Sequence, residues 1–180
     1  MKSKFQIKLF AAFFVLFSSF TFAQFDAGKT TVGVGAGFGG GGLDGSGAIP
    51  ITLEINFLKL SDNLQGGIFA AYASTTEEMN FFTAKGEWSY TNIIVAAQTN
   101  YHFSPGATFD PFAGVALGYN IASASWSWDG NTNLSEPSAT VGGFFYSGQV
   151  GFNYWLGKST AIQLRAGYFP YVSASIHFSL

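Results

Sequence analysis

Two histidine–serine pairs are the residues of this sequence best suited to nucleophilic chemistry. His102-Phe-Ser104 and His177-Phe-Ser179 share one spacing, in which serine could be a nucleophile and histidine its base. No acid follows His177. After His102, Asp110 stands at the start of the next predicted strand. Because the strand pattern turns His177 and Ser179 away from the apolar face, we expect them to fill a polar interior rather than to form an esterase.

A glycine-rich segment carries the GxGxxG spacing of dinucleotide-binding sites. Gly35-Ala-Gly37-Phe-Gly39-Gly40 matches the spacing, and Glu54 lies further along the chain. Such a site needs a helix that begins at the glycines, whereas the residues that follow are again rich in glycine. We therefore expect no cofactor. The two isolated histidines also have no cluster of carboxylates nearby in sequence, which argues against a metal site.

Glu54 and Arg165 are opposite charges on the polar faces of two predicted strands. If those faces enclose a narrow interior, the charges must meet or join a polar network, because an unpaired buried charge is costly. Gln163 and His177 lie on the polar faces of the last two strands. The sequence thus predicts an interior network of Glu54, Arg165, Gln163 and His177. A structural ion pair is the more frequent use of such charges.

Trp126 and Trp128 stand in the longest polar segment of the chain, within Trp-Ser-Trp-Asp. An exposed aromatic pair suits contact with a ligand, because interface hot spots are enriched in tryptophan. The alternative is a strand that continues past the apolar region, with a tryptophan in an aromatic belt. The sequence leaves both interpretations open.

Segments of strict alternation position these residues. In Val172–Leu180 the even-numbered side chains are apolar and the odd-numbered ones are polar, as in a half-buried strand. The same pattern recurs along the chain and predicts eight strands, at Thr31–Phe38, Ala48–Phe57, Leu64–Ser74, Trp88–Phe103, Phe112–Ile121, Gly142–Leu156, Thr160–Tyr168 and Val172–Leu180.

The composition indicates where the apolar face of these strands is directed. Charged residues are only 10% of the 180 residues and aromatic residues are 18%, while a soluble protein carries about a quarter charged residues. Short and long connections alternate, with the longer ones at 75–86 and 122–141. This is the pattern of an all-β, eight-stranded antiparallel up-and-down transmembrane barrel. A soluble sandwich or barrel would carry more Lys and Glu on its polar faces.

The first residues predict export. Lys2, Lys4 and Lys8 precede an apolar run that ends before a Thr-Phe-Ala site, so we expect a cleaved signal peptide at 1–23 and a barrel domain at 24–180. Without the leader, five basic residues face ten acidic ones. That charge balance excludes nucleic acid as a partner, because phosphate binding needs a basic face. The absence of cysteine excludes disulfides.

The run from Pro111 to Tyr119 and the C-terminal hairpin resemble the small eight-stranded outer-membrane barrels of the OmpA/OmpX-like superfamily. The resemblance covers 24–180. It implies a location in the bacterial outer membrane, with outer-membrane lipid, lipopolysaccharide and the barrel-assembly machinery as partners. In that family the last strand normally ends in Phe, whereas here Leu180 is last and Phe178 lies two residues before it.

The resemblance also frames the expected function. We expect a non-enzymatic protein with a structural or adhesion-like role, in which the extracellular loops contact an extracellular ligand. Similar barrels use Glu–Arg contacts in the lumen as a plug or gate, so a narrow gated channel with the Glu54/Arg165 pair is one alternative. An outer-membrane lipid-modifying enzyme is the second.

Overall fold

The computed structural model describes residues 26–40, 48–81, 84–128 and 138–180. The predicted signal peptide at 1–23 lies outside these residues, as do positions 41–47 of the glycine-rich segment. No helix in the described ranges is long and apolar enough to cross a membrane. Because the first 25 residues are not described, the domain bounds 1–23 and 24–180 stay predictions.

Within the described ranges, eight strands form a closed barrel in which each strand pairs antiparallel with its neighbours in the chain. The first strand pairs with the last over the whole of its length, from Thr31↔Ser179 to Phe38↔Val172. The predicted eight-stranded antiparallel barrel is confirmed. The strands are β1 Thr31–Phe38, β2 Ile51–Lys59, β3 Leu64–Phe81, β4 Ala84–His102, β5 Phe109–Trp128, β6 Ser138–Trp155, β7 Thr160–Gly167 and β8 Val172–Ser179.

Side chains alternate between the outer and inner surfaces of the barrel, and the outer surface is apolar. On β4, Ile93 and Phe103 delimit the apolar band; ten residue steps correspond to about 33 Å of strand, or about 25 Å along the barrel axis at a tilt of about 40°. That height is the one expected of a membrane-spanning barrel. Exposed aromatic rings lie near both limits of the band, at Phe38, Tyr72, Tyr119, Phe144 and Tyr168 on one side and at Phe57, Tyr101, Phe103, Phe109 and Phe178 on the other.

Four strands are too long for the band that they cross. β3, β4, β5 and β6 contain 18, 19, 20 and 18 residues, whereas the other four contain 8 or 9. A membrane strand needs only about 9–11 residues. The excess stays paired, as Trp88↔Trp126 shows, and forms what we call the projecting sheet, residues 73–81, 84–92, 122–128 and 138–141.

The projecting sheet corrects the predicted connections. Loops were predicted at 75–86 and 122–141, but β3 continues to Phe81, β4 begins at Ala84 and β5 continues to Trp128. Beyond Tyr72 and Ile93 the outward side chains become polar while the strand pairing persists. The alternation of apolar and polar residues therefore indicated where the apolar band ends, and not where the strands end.

The opposite end of the barrel has short connections at 60–63, 103–108 and 156–159. In the first of these, Lys59 Nζ lies 2.8 Å from Asp62 Oδ1. The hydrogen bond from Lys59 and its positive charge hold the pKa of Asp62 below its usual range. Residues 26–30 close this end, where Ala27 packs against Trp155 and Ala161.

Candidate functional site

The interior of the barrel contains a buried ion pair. Glu54 is an inward position of β2 and Arg165 an inward position of β7, and their side chains meet with Arg165 Nη1 3.0 Å from Glu54 Oε1. Both side chains are only 2% exposed. Gln98 Nε2 donates to the other carboxylate oxygen of Glu54 at 3.1 Å. Burial of two charges is tolerated here because they are paired and hydrogen-bonded.

A chain of amide side chains extends this pair across the lumen. Arg165 Nη1 donates to Gln149 Oε1 at 3.4 Å, and Gln149 Nε2 donates to Asn100 Oδ1 at 2.6 Å. Gln98 Nε2 also donates to Asn56 Oδ1 at 2.8 Å. All six residues of this network, the ion pair included, are buried. The lumen of an eight-stranded barrel is just wide enough for such side chains to fill it.

Gln163 and His177 form a second group toward the short-connection end. Gln163 Nε2 donates to Asn153 Oδ1 at 3.2 Å, and Ser175 Oγ donates to Gln163 Oε1 at 3.5 Å. His177 Nε2 lies 3.0 Å from the same Ser175 Oγ. The histidine thus contacts Ser175, whereas the spacing of the histidine–serine motif had pointed to Ser179.

The second histidine belongs to a pair that sequence reasoning missed. His102 Nδ1 lies 2.6 Å from Asp110 Oδ2, and the aspartate is fully buried. The two residues flank the connection between β4 and β5, where His102 pairs with Phe112 in register. The nearest signal in the sequence was the position of Asp110 at the start of the following strand. No group of three or more His, Cys, Asp or Glu side chains in the described part of the chain is placed to hold a metal ion.

An aromatic layer lies directly above the polar network. Phe69 stacks on Phe145 with ring centroids 6.5 Å apart, and Phe169 joins the same buried cluster. The guanidinium carbon of Arg165 sits 4.2 Å from the centre of the Phe69 ring. A polar network and an apolar layer therefore obstruct the lumen in series. Sequence reasoning did not identify this layer.

The projecting sheet has its own aromatic cluster on the face that continues the inner surface. Trp88 lies 5.2 Å from Trp126 between ring centroids, Trp126 lies 5.1 Å from Trp128, and Tyr90 stacks on Trp88 at 6.1 Å. The tryptophans predicted at a surface loop lie in β5, so the strand of the alternative interpretation is present, but their rings are on the face that continues the inner surface and not in an outward aromatic belt. Gly86 lies under the Trp126 ring, where any side chain would collide with it.

A cavity of about 310 Å³ lies beside this cluster at the tip of the sheet. Trp128 and Gly86 line it together with Glu78, Glu87 and Lys85. Glu78 and Glu87 are direct cross-strand neighbours. Like charges at paired positions repel each other, so this tip is a locally acidic surface.

Two crystal structures of Ail, the attachment invasion locus protein of Yersinia pestis, are similar to this chain. One is 11% identical, with a TM-score of 0.49, and the match covers 84% of this chain and 95% of Ail. The other, in complex with the heparin analogue sucrose octasulfate, is 12% identical with the same TM-score and coverage. No protein-family model and no curated protein sequence matches the chain. At this identity the likeness concerns the barrel fold alone.

Proposed function

We propose that this outer-membrane barrel is a surface-interaction protein that holds a four-stranded sheet outside the membrane for contact with an extracellular ligand. The observation that carries the proposal is the length of β3–β6, because each of these four strands exceeds what the apolar band needs by about seven or more residues. A lumen filled by side chains supports a role as a rigid base for that sheet. Outer-membrane lipid and lipopolysaccharide would surround the band, and the barrel-assembly machinery would insert it.

The aromatic cluster is the contact surface that we propose. Trp88, Tyr90 and Trp128 are partly exposed, and the ring of Trp126 is buried among them. Packed rings lose little conformational freedom when a ligand binds, which favours affinity. Tryptophan and tyrosine are also the side chains most enriched at interface hot spots.

Replacing Trp128 with alanine is expected to reduce binding to the ligand about thirtyfold, the loss of about 2 kcal/mol that is typical of a hot-spot aromatic ring. Bacteria that display the barrel are passed over a panel of immobilised matrix proteins and glycans, and the fraction of cells retained on each surface is measured. Tyr119→Ala is the matched control, since this ring lies on the same strand but faces the apolar band. Retention of Trp128→Ala at the wild-type level on every surface that binds the wild type would contradict the proposal.

The charge of the projecting sheet indicates which ligands it would reject. Its described residues include Glu77, Glu78 and Glu87 but one base, Lys85. The sequence between β5 and β6 adds two further acids and no base. A polyanion would be repelled by such a surface. We therefore expect sucrose octasulfate, which one Ail structure contains, not to bind this barrel at physiological salt; saturable binding in calorimetry would contradict that expectation.

The two alternatives use the interior instead. A narrow gated channel would need the Glu54/Arg165 pair to open, although the aromatic layer of Phe69 and Phe145 obstructs the same path. A lipid-modifying enzyme would need a histidine–serine pair that faces lipid, whereas His177 and Ser175 are buried inside the barrel. We expect neither activity, no cofactor and no metal.

A further inference from the structure

The barrel wall is incomplete on one side near the outer limit of the apolar band. The pairing of β6 with β7 ends at Gln149↔Gly167, where β7 itself ends. β6 continues for eleven more residues, from Gly148 to Ser138, with its pairing to β5 intact. Along this stretch, the described strands offer β6 no partner on its other side, so a notch lies between β6 and the link from β7 to β8.

A cavity of about 250 Å³ occupies this notch. Three of its lining residues, Ile94, Ala122 and Phe145, are inward positions of β4, β5 and β6. Three others are outward-facing rings, Phe144, Tyr146 and Tyr168. Because one cavity touches both sets, it joins the outer surface of the barrel to the upper lumen.

The outer mouth of the cavity lies at the level of the apolar band. Phe144 pairs in register with Tyr119, one of the rings at the upper limit of that band. Phe144 stacks on Tyr146 with centroids 6.4 Å apart, and Tyr146 stacks on Tyr168 at 6.3 Å with nearly parallel planes. These exposed rings form an apolar strip that leads from the hydrocarbon side to the notch.

The inner part of the cavity contains one polar atom that needs a donor. Asn120 Nδ2 donates to Asn92 Oδ1 at 2.9 Å, but Asn120 Oδ1 is buried and accepts no hydrogen bond from the described residues. Buried acceptors in native proteins are nearly always paired, so this atom calls for an explanation. The other side chains that line the cavity are apolar, apart from the tyrosine hydroxyls, while polar atoms also form a large share of its surface.

We propose that this notch is a lateral binding site for the acyl chain of an outer-leaflet lipid. The chain would run along Phe144, Tyr146 and Tyr168 and end beside Ile94 and Phe145 inside the barrel. The volume is sufficient, since an apolar cavity of about 150 Å³ already binds benzene. A hydroxyl on the chain would donate to Asn120 Oδ1, so hydroxylated acyl chains are the preferred class.

The test uses the barrel refolded in nanodiscs that contain a phosphatidylethanolamine with a diazirine at the end of one acyl chain. After irradiation, peptide mass spectrometry locates the adducts. We expect adducts on the inward residues Ile94, Ala122 and Phe145 in addition to those on outward residues. Adducts confined to outward residues would overturn the proposal, because the outward adducts themselves show that the probe was active.

Gly143→Phe tests the path of access. A side chain at Gly143 points inward beside Asn120 and meets nothing within 4 Å, so we expect the barrel to fold with the cavity filled. Inward adducts should then fall about tenfold, as steric exclusion from a filled cavity requires. Gly148→Phe is the matched control on the outward face of the same strand, also with nothing within 4 Å, and should leave the inward adducts unchanged.

Two further results complete the test. Gly143→Leu replaces Gly143→Phe if the larger side chain prevents folding. Inward adducts that persist in a folded Gly143 variant would overturn lateral access through the notch. Asn120→Leu is expected to abolish the preference for a probe hydroxylated near the end of its acyl chain over its unsubstituted form, and a preference that survives this change would overturn the role of Asn120.

Discussion

Replacing Arg165 with methionine is expected to lower the free energy of unfolding by about 3–5 kcal/mol, because the carboxylate of Glu54 would remain buried without its partner. The two side chains are 3.0 Å apart and 2% exposed, so solvent does not screen their interaction. The guanidinium also donates to the carbonyl of Phe169 at 3.5 Å, which ties the link between β7 and β8 to the lumen. The substitution removes all of these contacts together.

Denaturant titration of the barrel in lipid vesicles, followed by tryptophan fluorescence, measures this loss. The double variant Glu54→Gln/Arg165→Met should regain most of the stability, because a neutral, well-packed replacement of a buried pair is often tolerated. Lys59→Met is the control: it breaks the exposed pair with Asp62 and should leave the midpoint unchanged. An Arg165→Met barrel as stable as the wild type would contradict the expectation.

The same variants distinguish a plug from a gate. In a planar bilayer we expect Arg165→Met to remain silent, since the stacked rings of Phe69 and Phe145 still obstruct the lumen above the lost charge. Discrete current steps from this single variant would instead favour the gated channel. The pair would then be the barrier to ions rather than part of the filling.

The sequence predicted the strands well where alternate side chains face lipid and lumen, because the first set is then apolar and the second polar. The bounds of β1 are reproduced, and those of β7 and β8 differ by one residue, because their whole length lies within or near the apolar band. β3–β6 extend further than the pattern indicated. Past Tyr72 and Ile93 the outward face meets water, so Ser, Thr and Glu replace apolar residues while the backbone pairing continues. Polarity alone does not distinguish that change from a loop.

The interior was predictable only where a charged or polar side chain stood at an inward position between apolar outward ones. Glu54 and Arg165 were placed on the inward face by parity, but their contact depends on barrel closure, which puts β2 and β7 three strands apart around a narrow lumen. The aromatic layer left no such signal. Phe69 follows Ile68, and Phe145 stands between Phe144 and Tyr146, so inward and outward side chains are both apolar at these positions. The His102–Asp110 contact depends on the turn geometry between β4 and β5.

Removal of the Phe69 ring is the second change for which we expect a large effect. Phe69 is 1% exposed, stacks on Phe145 and lies over the guanidinium of Arg165, so Phe69→Ala leaves a cavity between the polar network and the projecting sheet. We expect a loss of about 3–5 kcal/mol in the free energy of unfolding, as for other buried phenylalanines. Phe144→Ala, which removes a ring that is 70% exposed on the outer face, should cost less in the same titration.

Conductance then shows whether the two obstructions act in series. Phe69→Ala alone should remain silent, because the ion pair and the amides of Gln98 and Gln149 still fill the lumen below it. Combined with Glu54→Ala/Arg165→Ala, it removes the aromatic ring and both long side chains of the ion pair, and we expect current steps from this triple variant alone. Steps from Phe69→Ala by itself would show that the aromatic layer is the sole barrier. The buried ion pair would then serve the stability of the barrel without contributing to its closure.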